Sequence, residues 1–334
     1  MKSIASVLIH KSQFPENVRR DLLQSLRSRK INHKFHYDSI KQTHKWLALH
    51  QIYAPSRSDK NVHAIYKQSF EAAVAKIKSR SVHVIGLGCG GGQKDTRLLK
   101  LLKTRGKVVF YTPCDVSVAM VLTARQTAFA VLPKGNCFPF VCDLATANFN
   151  WEGRRVGDPD LFGTAARRPF PKIVTFFGMI PNFEPQDILP KLASLIRPKD
   201  FLLFSANLAP GKNYDAGMEK ILPQYDNVPT RDWLMTFLPD LGVEKRDGKL
   251  CFEIETAQNG LKRVVADFHF KRARQIGVEG RTFNFKSGET IRLFFSYRYT
   301  PEHVRKILAA HKLEICGQWI AKSEEEGVFL CRRK

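Results

Sequence analysis

A chain of 334 residues, 43% hydrophobic and 25% charged, can bury one large core or two smaller ones and has the balance of a globular protein. No run of about 20 apolar residues is present, the short patch Ile4 to Ile9 runs into Lys11 and Gln13 where a cleavage signal would sit, and the seven cysteines are scattered without a Cys-x-x-Cys pair. These features exclude a membrane-spanning helix, a secretory peptide, a disulfide framework and a zinc site, and predict a cytoplasmic location. Lys and Arg (54) outnumber Asp and Glu (31) by +23, which admits a nucleic-acid partner but equally a solvated basic surface.

In chain order, Pro15 predicts a helix start, with Val18, Leu22, Leu23 and Leu26 on one face. A second amphipathic pattern runs from Asp38 to Ile52 and is broken by Ala54-Pro55-Ser56-Arg57. Asn61 or Asp59 caps a third helix, with Val62, Ile65, Ala73, Val74 and Ile77 inward. Strands then alternate with helices. Val82 to Leu87 reads as a buried parallel strand, followed by glycines and a helix carrying Leu98, Leu99, Leu101 and Leu102. Lys107 to Tyr111, Phe138 to Cys142, Ile173 to Phe177 and Phe201 to Ser205 complete five strands, with Val116 to Phe129 and Gln186 to Leu195 helical between them. Such βαβ repetition predicts an α/β fold with a parallel sheet. From Leu208 to Leu293 the alternation weakens into short helices and a strand in which Val264, Ala266, Phe268 and Phe270 face one way. At the end Thr300 caps a helix opened by Pro301, and a strand pair, Glu314 to Ile320 and Gly327 to Cys331, closes the chain.

The glycines after the first strand, in Val84-Ile85-Gly86-Leu87-Gly88-Cys89-Gly90-Gly91-Gly92, allow a sharp turn and the approach of a ligand to bare backbone. Asp115 lies at the end of the second strand, where a carboxylate accepts ribose hydroxyls. Asp143 follows the third, where one accepts an adenine amino group. Taken singly, the loop is a flexible turn and each aspartate a cap. On three successive strand ends, where ligands of open α/β sheets bind, they predict a nucleoside site. The Lys-Ser/Thr of a triphosphate loop is missing, which leaves a nicotinamide dinucleotide or S-adenosylmethionine.

Ordered short segments resemble the histidine-specific Nα-methyltransferase family, which makes histidine betaine in ergothioneine synthesis and includes fungal enzymes that N-methylate a prenylated tryptophan. They are Phe35-His36-Tyr37-Asp38; Tyr53-Ala54-Pro55-Ser56-Arg57; the loop from Gly86 to Gly92 with Thr96-Arg97-Leu98-Leu99; Cys114-Asp115-Val116-Ser117; Phe177-Gly178-Met179-Ile180-Pro181-Asn182-Phe183; and Gly288-Glu289-Thr290-Ile291 running on to Ser296-Tyr297-Arg298-Tyr299-Thr300. The resemblance implies a Rossmann-like S-adenosylmethionine-dependent methyltransferase domain (residues 61–207 and 297–334) with an added substrate-binding α+β domain (1–60 and 208–296). It implies cofactor contacts at Gly86, Gly88, Gly90, Asp115, Asp143 and Gly178, and no metal. Tyr37, Tyr53, Asn182 and Tyr214 fall where the family holds an amino-acid substrate, and hydroxyls and an amide suit a carboxylate and a neutral amine. Each tyrosine is also a plausible packing residue on pattern alone. Of the pair expected to act on the amine, Tyr37 would receive its proton and Asn182 orient its nitrogen.

Two positions depart from that pattern. Gly86 stands where the family has a carboxylate, which weakens or rearranges a contact near the methionine part of the cofactor. Phe294 stands where a glutamate engages the imidazole, although Ser296 two residues on is kept. A phenyl ring cannot accept an imidazole N–H, at a cost of roughly 1–3 kcal/mol of discrimination, so the expected acceptor is a small amino-acid-like amine other than histidine. Two further readings rest on other features. Basic clusters at Arg19-Arg20, Arg27 to Lys34 and Lys271 to Arg274, interleaved with Phe268 and Phe270, suit an RNA methyltransferase. Gly86 and Phe294 together suit a non-catalytic homologue that still holds cofactor.

Overall fold

The computed structural model describes residues 6–53, 59–147 and 170–334, the side chains of 51–53 excepted. The strands, in chain order, are β1 (Leu8–Ile9), β2 (Ser81–Leu87), β3 (Val108–Asp115), β4 (Phe140–Val141), β5 (Lys172–Phe177) and β6 (Phe201–Asn207). They continue with β7 (Gly248–Thr256), β8 (Lys262–Phe270), β9 (Arg274–Val278), β10 (Arg281–Phe285), β11 (Thr290–Arg298), β12 (Leu313–Ile320) and β13 (Glu326–Arg333). The chain divides into two compact units, the first of Met1–Gln13, Pro55–Leu208 and Thr300–Lys334, the second of Phe14–Ala54 and Ala209–Tyr299.

The first unit is built on one sheet of order β1-β4-β3-β2-β5-β6-β13-β12. Strands β1 to β6 pair in parallel, and β13 runs antiparallel between β6 and β12. The run β4-β3-β2-β5-β6 is the Rossmann-like order, reversing direction of travel beside β2, and the carboxyl ends of β2 and β5 meet at that switch point. The apolar residues of β2 are buried throughout because helices cover the sheet. One of these helices, Lys60–Lys76, buries Val62, Ile65, Tyr66, Phe70, Ala73 and Val74. They share a core with Val82, Val84, Leu98, Leu99 and Leu102. Asp59 rather than Asn61 caps this helix, its carboxylate accepting from the amides of Asn61 and Val62, a contact worth about 1 kcal/mol. At the far end Thr300 accepts from the His303 amide and opens the helix Pro301–Ala310.

The second unit packs a three-stranded antiparallel sheet, β11-β8-β7, and the hairpin β9/β10 against short helices. Its core gathers Leu26, Phe35, Trp233, Phe237, Ala266, Phe268, Phe270, Ile291 and Leu293. Two expectations are corrected here. Phe268 and Phe270 are each 1% exposed, packed edge-to-face in that core, so they offer no surface to a nucleobase. The stretch up to Gln13 groups with the sheet unit, where β1 pairs with β4, and the second unit begins at Phe14.

Candidate functional site

Gly88, Gly90 and Gly92 in the loop after β2 have φ of +60°, +51° and +75°, which glycine adopts without steric cost. A side chain at Gly88 would strike the Met179 side chain, and one at Gly92 would strike the Ala124 backbone. The loop delivers the chain into the helix Gln93–Thr104. Asp115 closes β3 beside it, accepting from the amides of Gly90 (3.0 Å) and Ser117 (3.1 Å). Burial raises its pKa, and those amides oppose the rise. A carboxylate has about four acceptor sites, so Asp115 retains capacity for further donors. Asp143, 4% exposed, accepts from the Ala145 amide and the Thr146 hydroxyl, while its own amide donates to Ser12 Oγ. At Gly178, φ is +70° and the amide donates to Ser205 Oγ at 2.9 Å. Glycine loop, Asp115, Asp143 and Gly178 thus all lie at the carboxyl ends of parallel strands.

Sequence reasoning missed three residues at this end. Gln13 donates through Nε2 to the Val116 carbonyl at 2.8 Å, while its Oε1 is buried with no donor among the described residues. An acceptor left in that condition fits a ligand bringing N–H or O–H groups, as an adenosyl group does. Ser12 supports Asp143, as above. Asp95, in the first turn of the helix Gln93–Thr104, is 2% exposed and accepts from Tyr111 Oη and Thr175 Oγ1, both at 2.7 Å. Its carboxylate lies where a side chain at Gly86 would project. An acid following a glycine loop was the available signal for Asp95. Pattern carries none for Gln13, whose position depends on β1 pairing with β4.

Asn182 ends the 3-10 turn Ile180–Asn182 after β5, with its backbone amide bonded to the Met179 carbonyl. Its half-buried side-chain amide makes no hydrogen bond among the described residues.

The other expected acceptor residues belong to the second unit. Tyr37 caps the turn His33–His36, half-buried, with its ring 5.9 Å from Trp46 and 5.5 Å from Trp233. Tyr53 ends the helix Ile40–Tyr53, and its side chain lies outside the described residues. The Tyr214 hydroxyl donates to the Arg298 carbonyl (2.5 Å) and accepts from the Lys262 amide (2.7 Å), joining β8 to β11; burial pushes its pKa up to about 12. That is a strand-supporting arrangement. Ser296 Oγ accepts from Tyr225 Oη (2.9 Å), which accepts in turn from Arg298 Nε (3.0 Å), a chain of bonds the sequence did not reveal. Phe294 is 7% exposed, edge-on to Trp233 at 5.7 Å and to His33 at 5.6 Å. A register shift in β11 between Arg292 and Phe294 turns Leu293 and Phe294 inward together. Burial lowers the pKa of His33 to about 3, so this wall is aromatic and uncharged at neutral pH.

Among the described residues, no cluster of His, Cys, Asp and Glu could hold a metal ion, and no helix is long and apolar enough to cross a membrane. The sequence profile of a family described as histidine-specific methyltransferase, S-adenosylmethionine-dependent, matches residues 18–236 and 245–333. A histidine N-alpha-methyltransferase of Mycobacterium tuberculosis is 25% identical over 331 residues, covering 95% of both chains. The N-methyltransferase imqF of Aspergillus flavus is 23% identical over 285 residues, 83% of this chain and 73% of its own. Among solved structures, the CcbJ methyltransferase of Streptomyces caelestis aligns with a TM-score of 0.41 at 12% identity, over 80% of this chain and 95% of that one.

Proposed function

The chain belongs to the histidine-specific, S-adenosylmethionine-dependent methyltransferase family, and from that premise we propose that it methylates the amine of a small amino-acid-like acceptor other than histidine. Both curated relatives are named N-methyltransferases, which favours nitrogen as the acceptor atom. The observation that carries the exclusion of histidine is Phe294, a buried phenyl in an aromatic wall of Trp233, Tyr225 and His33. Such a wall favours an apolar or aromatic side group and offers an imidazole N–H no acceptor at that position.

S-adenosylmethionine supplies a methyl group on a positively charged sulfur. As the nitrogen–methyl bond forms, the sulfur–methyl bond breaks, its electron pair stays on sulfur, and one proton leaves the amine. The protein's task is approach geometry, which accounts for roughly 7–11 kcal/mol in well-oriented reactions. We assign the methyl donor to Asp115, Asp143, the glycines at 86, 88, 90 and 178, and Gln13. Asn182, whose side-chain amide is unbonded among the described residues, orients the acceptor nitrogen, and Tyr37 receives its proton. The bonds of Tyr214 speak for support of the strands instead.

The test is a screen of amino acids for S-adenosylhomocysteine release, followed by mass spectrometry of the product. Tryptophan-like or other aromatic acceptors are expected to exceed histidine by roughly tenfold or more in kcat/KM. Efficient trimethylation of histidine would overturn the substrate assignment.

A further inference from the structure

A buried carboxylate is costly unless its charge is answered, and Asp95 is 2% exposed with only two neutral hydroxyls, Tyr111 Oη and Thr175 Oγ1, bonded to it. The nearest ammonium in sequence, Lys94, is committed elsewhere, donating to Tyr66 Oη at 2.8 Å and lying 3.8 Å from Glu326. Among the described residues, no guanidinium or ammonium is hydrogen-bonded to Asp95. The carboxylate occupies the space into which a residue-86 side chain would project, so a Cβ at Gly86 would collide with Asp95 Oδ2. Gly86 pairs with Thr175 across β2 and β5, and the next residues are the positive-φ turn. A carboxylate is thus held at the base of the glycine loop, at the switch point of the sheet; burial raises its pKa, and its two hydroxyl donors and the charge of Lys94 oppose the rise without any cation bonding it among the described residues. The methyl donor has a cationic methionine end: an ammonium in both donor and product, and a sulfonium in the donor.

We propose that Asp95 is a positioning residue of the methyl-donor site, its carboxylate reaching in from the helix Gln93–Thr104 to fill the space left at Gly86 and to supply the negative charge that the cationic methionine end requires. The inference rests on the assignment of the glycine loop and Asp115 to the donor. Tyr111 and Thr175 fix the carboxylate from β3 and β5, and glycine at position 86 is required because the helix supplies the group from the other side.

Calorimetric titration with S-adenosylmethionine and S-adenosylhomocysteine tests this in the full chain, with a thermal melt of every variant. Asp95→Asn keeps the volume and removes the charge, and is expected to weaken both ligands by about tenfold or more with little change in Tm. Gly86→Asp alone crowds the same space and is expected to weaken binding and lower Tm. The double variant Gly86→Asp, Asp95→Ala moves the carboxylate onto the strand and is expected to recover affinity to within about threefold of the parent, a non-additivity that only a shared role produces. Parental affinity in Asp95→Asn, an unfolded Asp95→Asn, or a double variant no better than the worse single variant would each overturn the proposal. If the parent chain binds neither ligand, the failure lies with the donor-site assignment instead.

Discussion

Two histidines of the second unit show how far a residue's surroundings reset its chemistry. His36 is fully buried, its Nε2–H donating to the Leu293 carbonyl at 2.6 Å, and burial lowers its pKa to about 4. Burial, with a smaller push from His36, lowers His33 to about 3. Unfolded, both take a proton near pH 6.5. The folded chain therefore binds fewer protons than the unfolded chain between pH 6.5 and about 4, and stability falls as pH drops through that window. Melting at pH 7, 6 and 5 is expected to show a progressive loss of Tm, with a shallower slope in His36→Gln. An unchanged Tm across that range would contradict the assignment. The sequence leaves His36 open between a surface and a packing position. Its neutral state was not legible there, because it depends on Trp233 and Phe237, some two hundred residues away in the chain.

Elements here are joined by a few buried polar anchors. Asp247, fully buried in the turn before β7, accepts from the Glu244 amide (2.8 Å), Arg272 Nε (2.6 Å) and Arg274 Nη2 (2.5 Å). Its own carbonyl accepts from the Lys271 amide, so it pins the entry of β7 to the turn between β8 and β9. The two guanidiniums hold its pKa well below the usual carboxylate range. Asp247→Ala leaves both arginines without this partner. It is expected to cost about 2–3 kcal/mol in urea unfolding followed by circular dichroism, less than a wholly buried pair because the arginines are partly exposed. A change below about 0.5 kcal/mol would remove Asp247 as an anchor. The strand β8 that leads into this turn was legible from alternation in Val264 to Phe270. The anchor itself was not, since one aspartate among thirty-one acidic residues carries no local mark.

Over the whole molecule the charge of +23 is the feature that most invites a nucleic-acid partner. Yet the basic clusters that suggested one are largely committed inside the second unit. Lys34 and Arg20 pair with Asp21, Arg19 with Glu279, Arg29 with Glu289, and Arg272 and Arg274 with Asp247. Binding of polyanions by the remaining net positive charge is electrostatic and falls steeply with salt. Anisotropy with labelled mixed-sequence RNA is expected to show affinity at 50 mM salt that drops at least a hundredfold by 200 mM. Affinity that survives 200 mM salt would favour an RNA acceptor.

The sequence by itself determined the βαβ alternation, the glycine loop and the two strand-end aspartates. Those features are local: a strand's apolar run, a turn that needs positive φ, and a carboxylate next to a strand end are written in consecutive residues. The tertiary structure alone decided that the Asp95 carboxylate fills the space beside Gly86, that Tyr214 ties strands together, and that Phe268 and Phe270 face a core. Each depends on which element packs against which, and that is set by long-range burial rather than by neighbours in the chain.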